Sequence, residues 1–461
     1  MRILFIYRTW YAEPFGIMYL SSYLKKNGHS CFFVDTKFEK NIEKEIQDIS
    51  PEIIAYSITT GEHKFYLELN RTLKKKFKFF AIFGGPHCTF FPELVYKDGV
   101  DAICRGEGEL AFLELANNLE NGKDIIGIKN LWIKKNGNVY KNELRSLIDD
   151  LDTLPFPDRD LITKYSYYKK MHRRFILTGR GCPYNCSYCF NHVYNKLYQG
   201  KGKVIRKRSV ENVIGELKLL KDKYVPKRFQ FVDDTLNLDL EWLLDFCTAY
   251  KKEIDMPFTI HMRVNLVNEE MVKAIKNAGC ATVVTATESG NEHIRNAILK
   301  RGISEEQTIN AANLFNKYGL KTFIQNIVGL PDETLDMAFE TMSLNIKCKP
   351  TYGWMSIFQP YPKTELCQYS KEKGYFDGNF DSIEETLFGK SVMRIKNIKE
   401  MERLRDLFSL GVAYPFSIPL IKILIKLPLD PFYKVLWHIY RAYCYFFKFK
   451  WLDVSEFFNT K

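Results

Sequence analysis

Three cysteines within one short stretch constrain this chain more than any other feature. Cys182, Cys186 and Cys189 lie four and then three residues apart. The stretch follows Arg174–Thr178, which has the apolar pattern of a short buried strand. Thiolates at this spacing on a tight loop can bind three irons of a cubane cluster and leave the fourth iron open to a ligand. The spacing therefore predicts an iron–sulfur site at the end of a strand.

A structural zinc site is the alternative for the same cysteines. Structural zinc takes four ligands, often as two CxxC pairs. The sequence contains neither a second CxxC pair nor an HxxxH pair. Ligand number and spacing therefore favour a cluster over zinc.

The pattern Cys-x-x-x-Cys-x-aromatic-Cys resembles the signature of the radical S-adenosylmethionine superfamily. In that superfamily the open iron is chelated by the amino and carboxylate groups of S-adenosylmethionine, whose reductive cleavage gives a 5′-deoxyadenosyl radical. The resemblance implies that Cys182, Cys186 and Cys189 bind a 4Fe-4S cluster. It also implies that Tyr188 contacts the adenine.

Length and composition indicate a globular protein of two or three domains. The chain has 461 residues, of which 46% are hydrophobic and 26% charged. A net charge of +12 would suit an anionic partner, but no nucleic-acid-binding motif accompanies it, so we expect no nucleic-acid partner. The other cysteines are single and scattered, which indicates a reducing, cytoplasmic location. Neither a signal-peptide core nor a run of about 18 apolar residues is present, so a spanning helix is not expected.

Residues 1–145 alternate short apolar strands with helices, the pattern of a doubly wound, flavodoxin-like parallel sheet. The first helix is predicted over Phe15–Lys26, ending at Asn27-Gly28. Ligands of such sheets bind at the carboxyl ends of the strands. The predicted strands are Ile3–Tyr7, Cys31–Val34, Ile53–Ser57, Phe79–Phe83 and Asp101–Cys104.

The loops after these strands are rich in glycine, which permits close backbone approach to a large ligand. No GxGxxG follows the first strand, which disfavours a dinucleotide. The order of elements, with the segments Gly84–His87 and Arg105–Glu109, resembles the cobalamin-binding domain of many radical S-adenosylmethionine enzymes. The resemblance implies cobalamin contacts from Ser57, Thr59, Gly84, Gly85, Gly106, Glu107 and Gly108.

The loop after the first strand departs from one variant of that domain. The variant supplies a cobalt-ligating histidine there, whereas Arg8–Gly16 contains none. His87 could be a ligand, but a lone histidine beside a Gly-Gly-Pro turn is more often structural. A flavodoxin-like domain without a ligand is the alternative for the whole region, because a fold alone does not imply a function.

Residues 146–170 are acidic and broken by prolines, and we interpret them as a linker. Residues 171–375 then alternate six strands with helices, which predicts a partial (β/α)6 barrel with its chemistry on the carboxyl-end rim. Ser209 is predicted to cap one helix, and Ser304 to begin a capping box with Gln307. The later strands are predicted over Phe229–Val232, Phe258–Val264, Ala281–Thr287, Thr322–Val328 and Trp354–Phe358.

Polar residues follow these strands, and their chemistry suits S-adenosylmethionine: an acid for its ammonium, an arginine for its carboxylate and an acid or hydroxyl for its ribose. By resemblance, Asp233 or Asp234 is assigned to the ammonium, Arg263 to the carboxylate and Glu288 to the ribose. The alternative is that some of these residues only cap helices or pair with each other. Gln325 stands where the family has a glycine. The full predicted set is Tyr188, Asp233, Asp234, Arg263, Glu288, Ser289 and Asn326.

Residues 376–461 are predicted to be mainly helical, and basic residues alternate there with aromatic ones. Six basic residues and one acid occur from Lys422 to Lys450. This composition can indicate a helix that makes peripheral contact with a membrane, or a lipid-like substrate. The alternative is a helical cap packed on the barrel.

The resemblance covers residues 1–375, and its family includes methyltransferases and an anaerobic porphyrin cyclase. It implies a 4Fe-4S cluster, S-adenosylmethionine and cobalamin as cofactors, with flavodoxin or ferredoxin as electron donor. Methyl transfer to an unactivated carbon of a small-molecule or lipid-like substrate is the leading hypothesis. A radical oxidoreductase or cyclase and, more remotely, a non-catalytic cobalamin-binding module are the alternatives. The sequence does not identify a catalytic side chain or the substrate.

Overall fold

The computed structural model describes residues 1–9, 12–384 and 389–451. Contacts divide the chain into two compact units. The first comprises Met1–Lys170, Leu197–Val204 and the described part of Phe380–Glu385, and the second comprises Met171–Lys196, Ile205–Asn379 and the described part of Thr386–Lys461. The segment interpreted as a linker belongs to the first unit. Trp10 and Tyr11, in the loop predicted without a cobalt-ligating histidine, lie outside the described residues, as do residues 452–461 of the C-terminal region.

The first unit is built on a seven-stranded sheet of order β2-β1-β3-β4-β5-β6-β7. Strands β1 to β5 are parallel and pair in register, for example Ile3 with both Cys31 and Ile53. This order confirms the doubly wound, flavodoxin-like fold. The strands are β1 (Arg2–Tyr7), β2 (Ser30–Asp35), β3 (Ile53–Ser57), β4 (Phe80–Gly84), β5 (Ala102–Cys104), β6 (Leu131–Lys135) and β7 (Asn138–Lys141).

Strands β6 and β7 form an antiparallel hairpin that extends the sheet beyond β5. This hairpin was not predicted, although Asn136 and Gly137 both have positive φ at its turn, as an Asn-Gly hairpin requires. Helices cover the sheet because its strands are apolar on both faces. They are α1 (Phe15–Lys26), α2 (Ile42–Ile49), α3 (His63–Lys74), α4 (Pro86–Phe90), α5 (Glu109–Glu120) and α6 (Ser166–Lys169).

The second unit contains a six-stranded, all-parallel sheet of order β15-β14-β13-β12-β11-β8. Each strand is followed by a helical segment, which confirms the partial (β/α)6 barrel. A short antiparallel pair, β9 with β10, follows β8. The strands are β8 (Arg173–Ile176), β9 (Gly179–Arg180), β10 (Arg206–Lys207), β11 (Arg228–Phe231), β12 (Phe258–His261), β13 (Cys280–Glu288), β14 (Lys321–Val328) and β15 (Tyr352–Ile357).

Helices surround this sheet, and both predicted caps are present. The Ser209 side chain accepts the N–H of Asn212, and Ser304 forms a reciprocal capping box with Gln307. β12 ends earlier than predicted because a 3-10 turn, Val264–Leu266, begins directly after Arg263. The helices are α7 (Phe190–Leu197), α8 (Val210–Tyr224), α9 (Leu240–Glu253), α10 (Glu269–Ala278), α11 (Glu305–Lys317), α12 (Leu335–Cys348), α13 (Glu365–Glu372), α14 (Ile398–Ala413), α15 (Ile418–Leu424) and α16 (Asp430–Tyr443).

The described part of the C-terminal region is mainly helical, as expected, with its α-helices beginning at Ile398. Helix α14 packs on β15 and α12, and α15 and α16 pack on α14. A π-type segment, Cys444–Lys448, extends α16. Within the described residues, no helix has both the length and the apolar character needed to cross a bilayer.

Candidate active site and cofactor-binding loops

The three predicted cluster cysteines lie on one loop between β9 and α7. The loop turns at Gly181, whose φ is +93°. Cys186 is buried, whereas Cys182 and Cys189 are half-buried. The N–H of Cys189 donates to the carbonyl of Cys186 at 3.1 Å. The chain between the last two cysteines is therefore a tight turn.

Protein hydrogen bonds hold this loop on both sides. The N–H of Ser187 donates to the carbonyl of Leu299 at 3.1 Å, and its hydroxyl donates to the carbonyl of Ile298 at 2.5 Å. The side chain of Asn195 in α7 donates to the carbonyl of Cys182 at 2.9 Å. The backbone that carries the thiols is thus fixed by its own neighbours.

Burial favours the neutral form of two of these thiols, those of Cys182 and Cys189. It raises the pKa of Cys189 to about 12 and also raises the pKa of Cys182. The negative charges of Cys186 and Asp234 add to both increases, because like charges disfavour a thiolate. The sulfur of Cys182 also lies 3.6 Å from the hydroxyl of Thr235, the residue that follows Asp234. Metal binding at this loop must release the thiol protons.

The cysteine loop suits an iron–sulfur cluster better than a single metal ion. In residues 1–9, 12–384 and 389–451, no three His, Cys, Asp or Glu side chains are gathered so that they could hold one ion. A cluster does not need that arrangement, because each thiolate binds a different iron. Nη1 of Arg263 also lies 3.9 Å from the Cys186 sulfur. A cation beside the sulfurs is one of the features that tune such clusters.

Three polar side chains link the cysteine loop to β13. The Tyr188 hydroxyl donates to Glu288 Oε1 at 2.8 Å, and Nη1 of Arg301 donates to the Tyr188 oxygen at 3.0 Å. Arg301 also lies 3.7 Å from the Glu288 carboxylate. Burial raises the pKa of Glu288, and the charge of Arg301 opposes that increase. The structure therefore brings together two predicted residues, Tyr188 and Glu288, and adds a third.

Arg301 was missed because no motif surrounds it. It follows the π-type segment His293–Ile298 and reaches back to the strand, where Nη2 donates to the carbonyl of Ala286 at 2.5 Å. A buried arginine requires acceptors, and only the fold reveals which ones it finds.

A bulge at the end of β13 sets the direction of Glu288. The register with β14 shifts between Ala286 and Glu288, and Glu288 has φ +65°. This left-handed conformation costs a non-glycine residue roughly 1–2 kcal/mol. Bulges next to functional sites commonly re-aim a side chain in this way.

Arg263 lies two residues after the end of β12 and faces the cysteine loop. Its guanidinium carbon is 3.5 Å from the centre of the Tyr184 ring. Its backbone N–H donates to Asn237 Oδ1 at 2.9 Å, and the Asn237 amide returns a hydrogen bond to its carbonyl at 3.1 Å. Nη2 also donates to the carbonyl of Arg301. The predicted carboxylate ligand therefore belongs to the same cluster as Tyr188 and Glu288.

The two adjacent aspartates after β11 have different surroundings. Oδ1 of Asp233 accepts the N–H and the hydroxyl of Thr178 at 3.0 and 2.7 Å, and burial raises the pKa of Asp233 to about 6. Asp233 thus ties the end of β11 to the end of β8. Asp234 is exposed, and its side chain interacts with Asn191. Of the two residues predicted for the ammonium contact, Asp234 is the one near the thiols.

Asn326 is not brought to this cluster. Its amide pairs with Asn345 of α12, at 2.9 and 3.2 Å, so its side chain lies on the helix-facing side of β14. Alternation along the strand places Gln325 on the opposite side. Ser289 is buried after Glu288, and its carbonyl accepts Nη1 of Arg295 at 3.0 Å. The predicted cofactor contacts of Asn326 and Ser289 stay predictions.

In the first unit, the loops after β3 and β4 meet through the backbone. The N–H of Ile58 donates to the carbonyl of Gly84 at 3.0 Å. Gly85 has φ +92° and ψ −176°, a conformation that is essentially restricted to glycine. A Cβ there would lie 2.8 Å from Ile58 backbone atoms and 3.1 Å from the Ser57 hydroxyl. The neighbouring Thr59 donates to Glu62 at 2.6 Å.

The loop after β5 is also shaped by glycine. Gly106 has φ +69°, and a Cβ there would overlap the Tyr198 hydroxyl. Oε2 of Glu107 accepts the N–H of Ile148 at 3.3 Å, and Gly108 is the N-cap of α5. The predicted cobalamin residues therefore lie at or just after the carboxyl ends of three adjacent parallel strands, where this fold class binds ligands.

His87 has protein partners that support its structural interpretation. Its Nδ1 lies 3.0 Å from the Thr60 hydroxyl, and its ring stacks on His63 at 4.3 Å. Burial lowers the pKa of His87 to about 3, so its ring is neutral. His63 in turn lies 2.8 Å from Asp381. No sequence motif connects these residues, because Asp381 is distant from His63 and His87 along the chain.

Two protein-family models match the chain. The B12 binding domain matches residues 1–116, and the Radical SAM superfamily matches residues 176–344. The chain is 35% identical over 369 residues to the uncharacterized methyltransferase PH0819 of Pyrococcus horikoshii, covering 78% of each chain. It is 26% identical over 402 residues to the anaerobic magnesium-protoporphyrin IX monomethyl ester cyclase of Rubrivivax gelatinosus, covering 81% of this chain and 70% of the relative.

A solved structure has the same fold. It is the radical S-adenosylmethionine methyltransferase TsrM of Kitasatospora setae, with tryptophan substrate and a S-adenosylmethionine analogue bound. The TM-score is 0.67 at 17% identity, covering 81% of this chain and 76% of TsrM. At this identity the likeness concerns the fold alone.

Proposed function

This chain belongs to the cobalamin-binding radical S-adenosylmethionine enzymes, and we propose that it is a methyltransferase acting on an unactivated carbon. The relative that is 35% identical over 78% of each chain carries this proposal, because that protein is described as a methyltransferase. The cysteine loop at the rim of the second sheet supports it, since a non-catalytic cobalamin-binding module needs no such loop.

The cofactors are a 4Fe-4S cluster, S-adenosylmethionine and cobalamin, as the two matched domains imply. When bound, they supply reductive cleavage of S-adenosylmethionine and carriage of a methyl group. In our proposal Cys182, Cys186 and Cys189 hold the cluster. The remaining residues of the second unit bind and orient the S-adenosylmethionine.

Three charged residues would match the charges of S-adenosylmethionine. Asp234 lies near the thiols and would accept the ammonium, and Arg263 would bind the carboxylate. Glu288, aimed by its bulge and held by Tyr188 and Arg301, would accept the ribose hydroxyls. The buried Asp233 positions the loop through Thr178 instead.

In the first unit, the backbone rather than charged side chains would receive cobalamin. The loops after β3, β4 and β5 carry Ser57, Thr59, Gly84, Gly85, Gly106, Glu107 and Gly108. The Gly85 conformation lets the backbones of two loops approach within a distance that any side chain would prevent. This close packing of the two loops would set the shape of the backbone surface that a large, flat ligand meets.

Product analysis tests the proposal directly. The protein is reconstituted anaerobically with iron, sulfide and cobalamin, and S-adenosylmethionine and a strong reductant are added. We expect both 5′-deoxyadenosine and S-adenosylhomocysteine, with the latter dependent on cobalamin. If a protein with a full cluster formed neither product, the result would contradict enzyme activity and favour a cobalamin-binding module.

A radical cyclase is the second candidate, because a relative 26% identical over 402 residues is an anaerobic cyclase. The same experiment separates the two functions. A cyclase would form 5′-deoxyadenosine without cobalamin-dependent S-adenosylhomocysteine.

The cluster cysteines give a sharper test of the site. Alanine at Cys182, Cys186 or Cys189 should abolish bound iron and lower S-adenosylmethionine cleavage by more than the roughly 10–100-fold typical of changes around a metal site. Cys247→Ala is the matched control, because Cys247 is a single buried cysteine of α9. Full activity in any of the three cluster variants would contradict the proposed ligand set.

We further propose a small-molecule or lipid-like substrate and an electron donor of the flavodoxin or ferredoxin type. Cleavage of S-adenosylmethionine consumes an electron, so a reductant must meet the protein. Replacing the chemical reductant with reduced flavodoxin should preserve 5′-deoxyadenosine formation, and complete loss would contradict that choice of donor.

A further inference from the structure

Helix α15 and its preceding segment expose a stripe of large apolar side chains. Phe416, Leu420, Ile423 and Leu427 follow one another at intervals of four, three and four residues, the spacing of one helix face. Phe416 is 84% exposed and Ile423 is 62% exposed. The core uses a different side of the helix, where Ile421 is buried.

Helix α16 and its π-type extension expose a second stripe. Phe432, Val435, Ile439, Tyr443 and Phe447 recur at intervals of three or four residues and are all exposed. Ile439 is 62% and Phe447 72% exposed. The side of α16 that packs on the protein is formed by other residues, namely Tyr433, Trp437, Tyr440 and Cys444.

The two stripes join where the helices connect. The N–H of Leu429 donates to the carbonyl of Leu427 at 2.9 Å, and the N–H of Phe432 donates to the carbonyl of Leu429 at 3.0 Å. All three side chains are exposed. The exposed apolar side chains therefore continue from α15 to α16 across this turn, in which Asp430 is the one charged residue.

The stripes also join at their far ends through a row of aromatic rings. Successive ring centres are 5.5–6.2 Å apart. The row runs through Phe416, Tyr414, Tyr440, Tyr443 and Phe447. Tyr440 is buried, so this row links the two stripes beneath the surface, whereas Leu427, Leu429 and Phe432 link them at the exposed turn. We name the two stripes and this turn together the α15–α16 apolar face, formed by Phe416, Leu420, Ile423, Leu427, Leu429, Phe432, Val435, Ile439, Tyr443 and Phe447.

The same helices and their extension carry many more basic than acidic residues. Six basic residues and a single acid, Asp430, occur from Lys422 to Lys450. Asp430 is paired with Arg403 at 3.2 Å. Across the described parts of both units, no carboxylate pairs with any of the six. They are Lys422, Lys426, Lys434, Arg441, Lys448 and Lys450.

We propose that the α15–α16 apolar face docks on the surface of an anionic phospholipid bilayer. A helix pair with an exposed apolar side, aromatic residues and flanking lysines has the chemistry of an interfacial membrane anchor. Neither helix could span a bilayer. The basic residues complement anionic headgroups. Pairing of this face with a second copy of the chain would instead bring two uncompensated basic surfaces together.

Vesicle flotation tests this proposal without depending on enzyme activity. The full chain is mixed with vesicles of phosphatidylcholine alone, or of phosphatidylcholine with about 30% phosphatidylglycerol. We expect the wild type to float with the anionic vesicles and to bind neutral ones at least about tenfold more weakly. The double variant Ile439→Ser, Phe447→Ser should lose about tenfold or more of the anionic binding.

Two further variants act as controls. Leu219→Ser replaces a side chain 46% exposed on α8, and it should float like the wild type. Lys426→Glu with Lys434→Glu should reduce binding to anionic vesicles only. Urea unfolding midpoints should match the wild type in every variant, because the replaced side chains are exposed.

Three results would overturn the proposal. The wild type could stay at the bottom of the gradient with anionic vesicles. The double variant of the apolar face could float as well as the wild type. Sedimentation could also show a wild-type dimer and a monomeric double variant with no flotation of either, in which case a second copy covers the face.

Discussion

The loops at the rim of the first sheet meet through their backbones, whereas those at the rim of the second sheet meet through side chains. In the first unit the loops meet through the backbone, and Gly85 allows Ile58 to approach as no other residue could. In the second unit the rim is a chain of charged and hydroxyl side chains, with Tyr188 between Glu288 and Arg301. Both rims lie at the carboxyl ends of parallel strands. The first is defined by the shape of its backbone, and the second by the charges of its side chains.

The difference follows from the ligands that each rim would receive. A corrin ring is broad and flat, so the loops that receive it must keep a defined backbone shape, which Gly85 permits by letting Ile58 approach closely. S-adenosylmethionine carries an ammonium and a carboxylate, so the protein must supply opposite charges. A shape-based rim is therefore sensitive to added atoms, and a charge-based rim is sensitive to removed ones.

Gly85→Ala should produce the largest effect on the first rim. The new methyl group meets the backbone of Ile58 at 2.8 Å in a conformation that favours glycine. Overpacking and backbone strain together should cost about 3 kcal/mol in the free energy of unfolding, and retained cobalamin should fall with it. Urea unfolding and the absorbance of cobalamin after gel filtration measure the two effects.

Gly84→Ala is the matched control for that variant. A Cβ at Gly84 would meet only ordinary contacts, the nearest being Cys104 at 3.7 Å. It should change the free energy of unfolding by less than about 1 kcal/mol. If the two glycines responded equally, the rim would not depend on the Gly85 backbone.

Glu288→Gln probes the second rim by removing a charge without changing shape. The variant leaves Arg301 without its anionic partner and offers the ribose a weaker acceptor. S-adenosylmethionine should bind about 30-fold more weakly, corresponding to about 2 kcal/mol. Equilibrium dialysis of the reconstituted protein measures this, and unchanged iron content shows that the cluster is intact. An unchanged affinity would remove Glu288 from the binding site.

The sequence predicted the fold well because apolar periodicity is a local signal. All eleven predicted strands are present, and the capping box at Ser304 is confirmed. The β6–β7 hairpin was missed although Asn136-Gly137 is a typical hairpin turn. The C-terminal region was predicted to be mainly helical, but not which helix faces it exposes. Those faces depend on how α14 packs.

The candidate site was predictable only in part, for a related reason. Cysteines at fixed spacing and acids after strands can be found in the sequence. Arg301 could not be found, because its partners come from distant segments. Asn326 appeared equivalent to the rim residues until the structure showed its pairing with Asn345 on the other side of the strand.

Glu333 combines a charged side chain with a backbone contact, because its one carboxylate accepts hydrogen bonds from the backbone of a loop. Its Oε2 accepts the N–H groups of Gly329 and Leu330 at 2.7 and 3.1 Å, and burial raises its pKa to about 8. The folded state therefore retains a proton that the unfolded state releases above its ordinary pKa of 4.5. Stability from this group is present at low pH and is lost as the pH rises towards 8.

Glu333→Gln should flatten that dependence. Between pH 5.5 and 7.5 the wild type should lose up to about 1.4 kcal/mol per pH unit relative to the variant. Urea unfolding at several pH values measures the difference. Parallel pH profiles for the two proteins would show that Glu333 does not titrate in this range.

Tyr188→Phe should have the smallest effect and gives the finest distinction between shape and charge. The substitution keeps the aromatic ring at position 188 and removes only the hydroxyl that donates to Glu288. Arg301 still lies 3.7 Å from that carboxylate and can compensate. We therefore expect affinity for S-adenosylmethionine to fall about threefold, or about 0.7 kcal/mol, with the iron content unchanged. Tyr188→Leu, which also removes the aromatic ring, should weaken S-adenosylmethionine binding further. Equilibrium dialysis measures both affinities. If the two variants were equivalent, the hydroxyl alone would account for the role of Tyr188, and the second rim would depend on charge and hydrogen bonding without a contribution from shape.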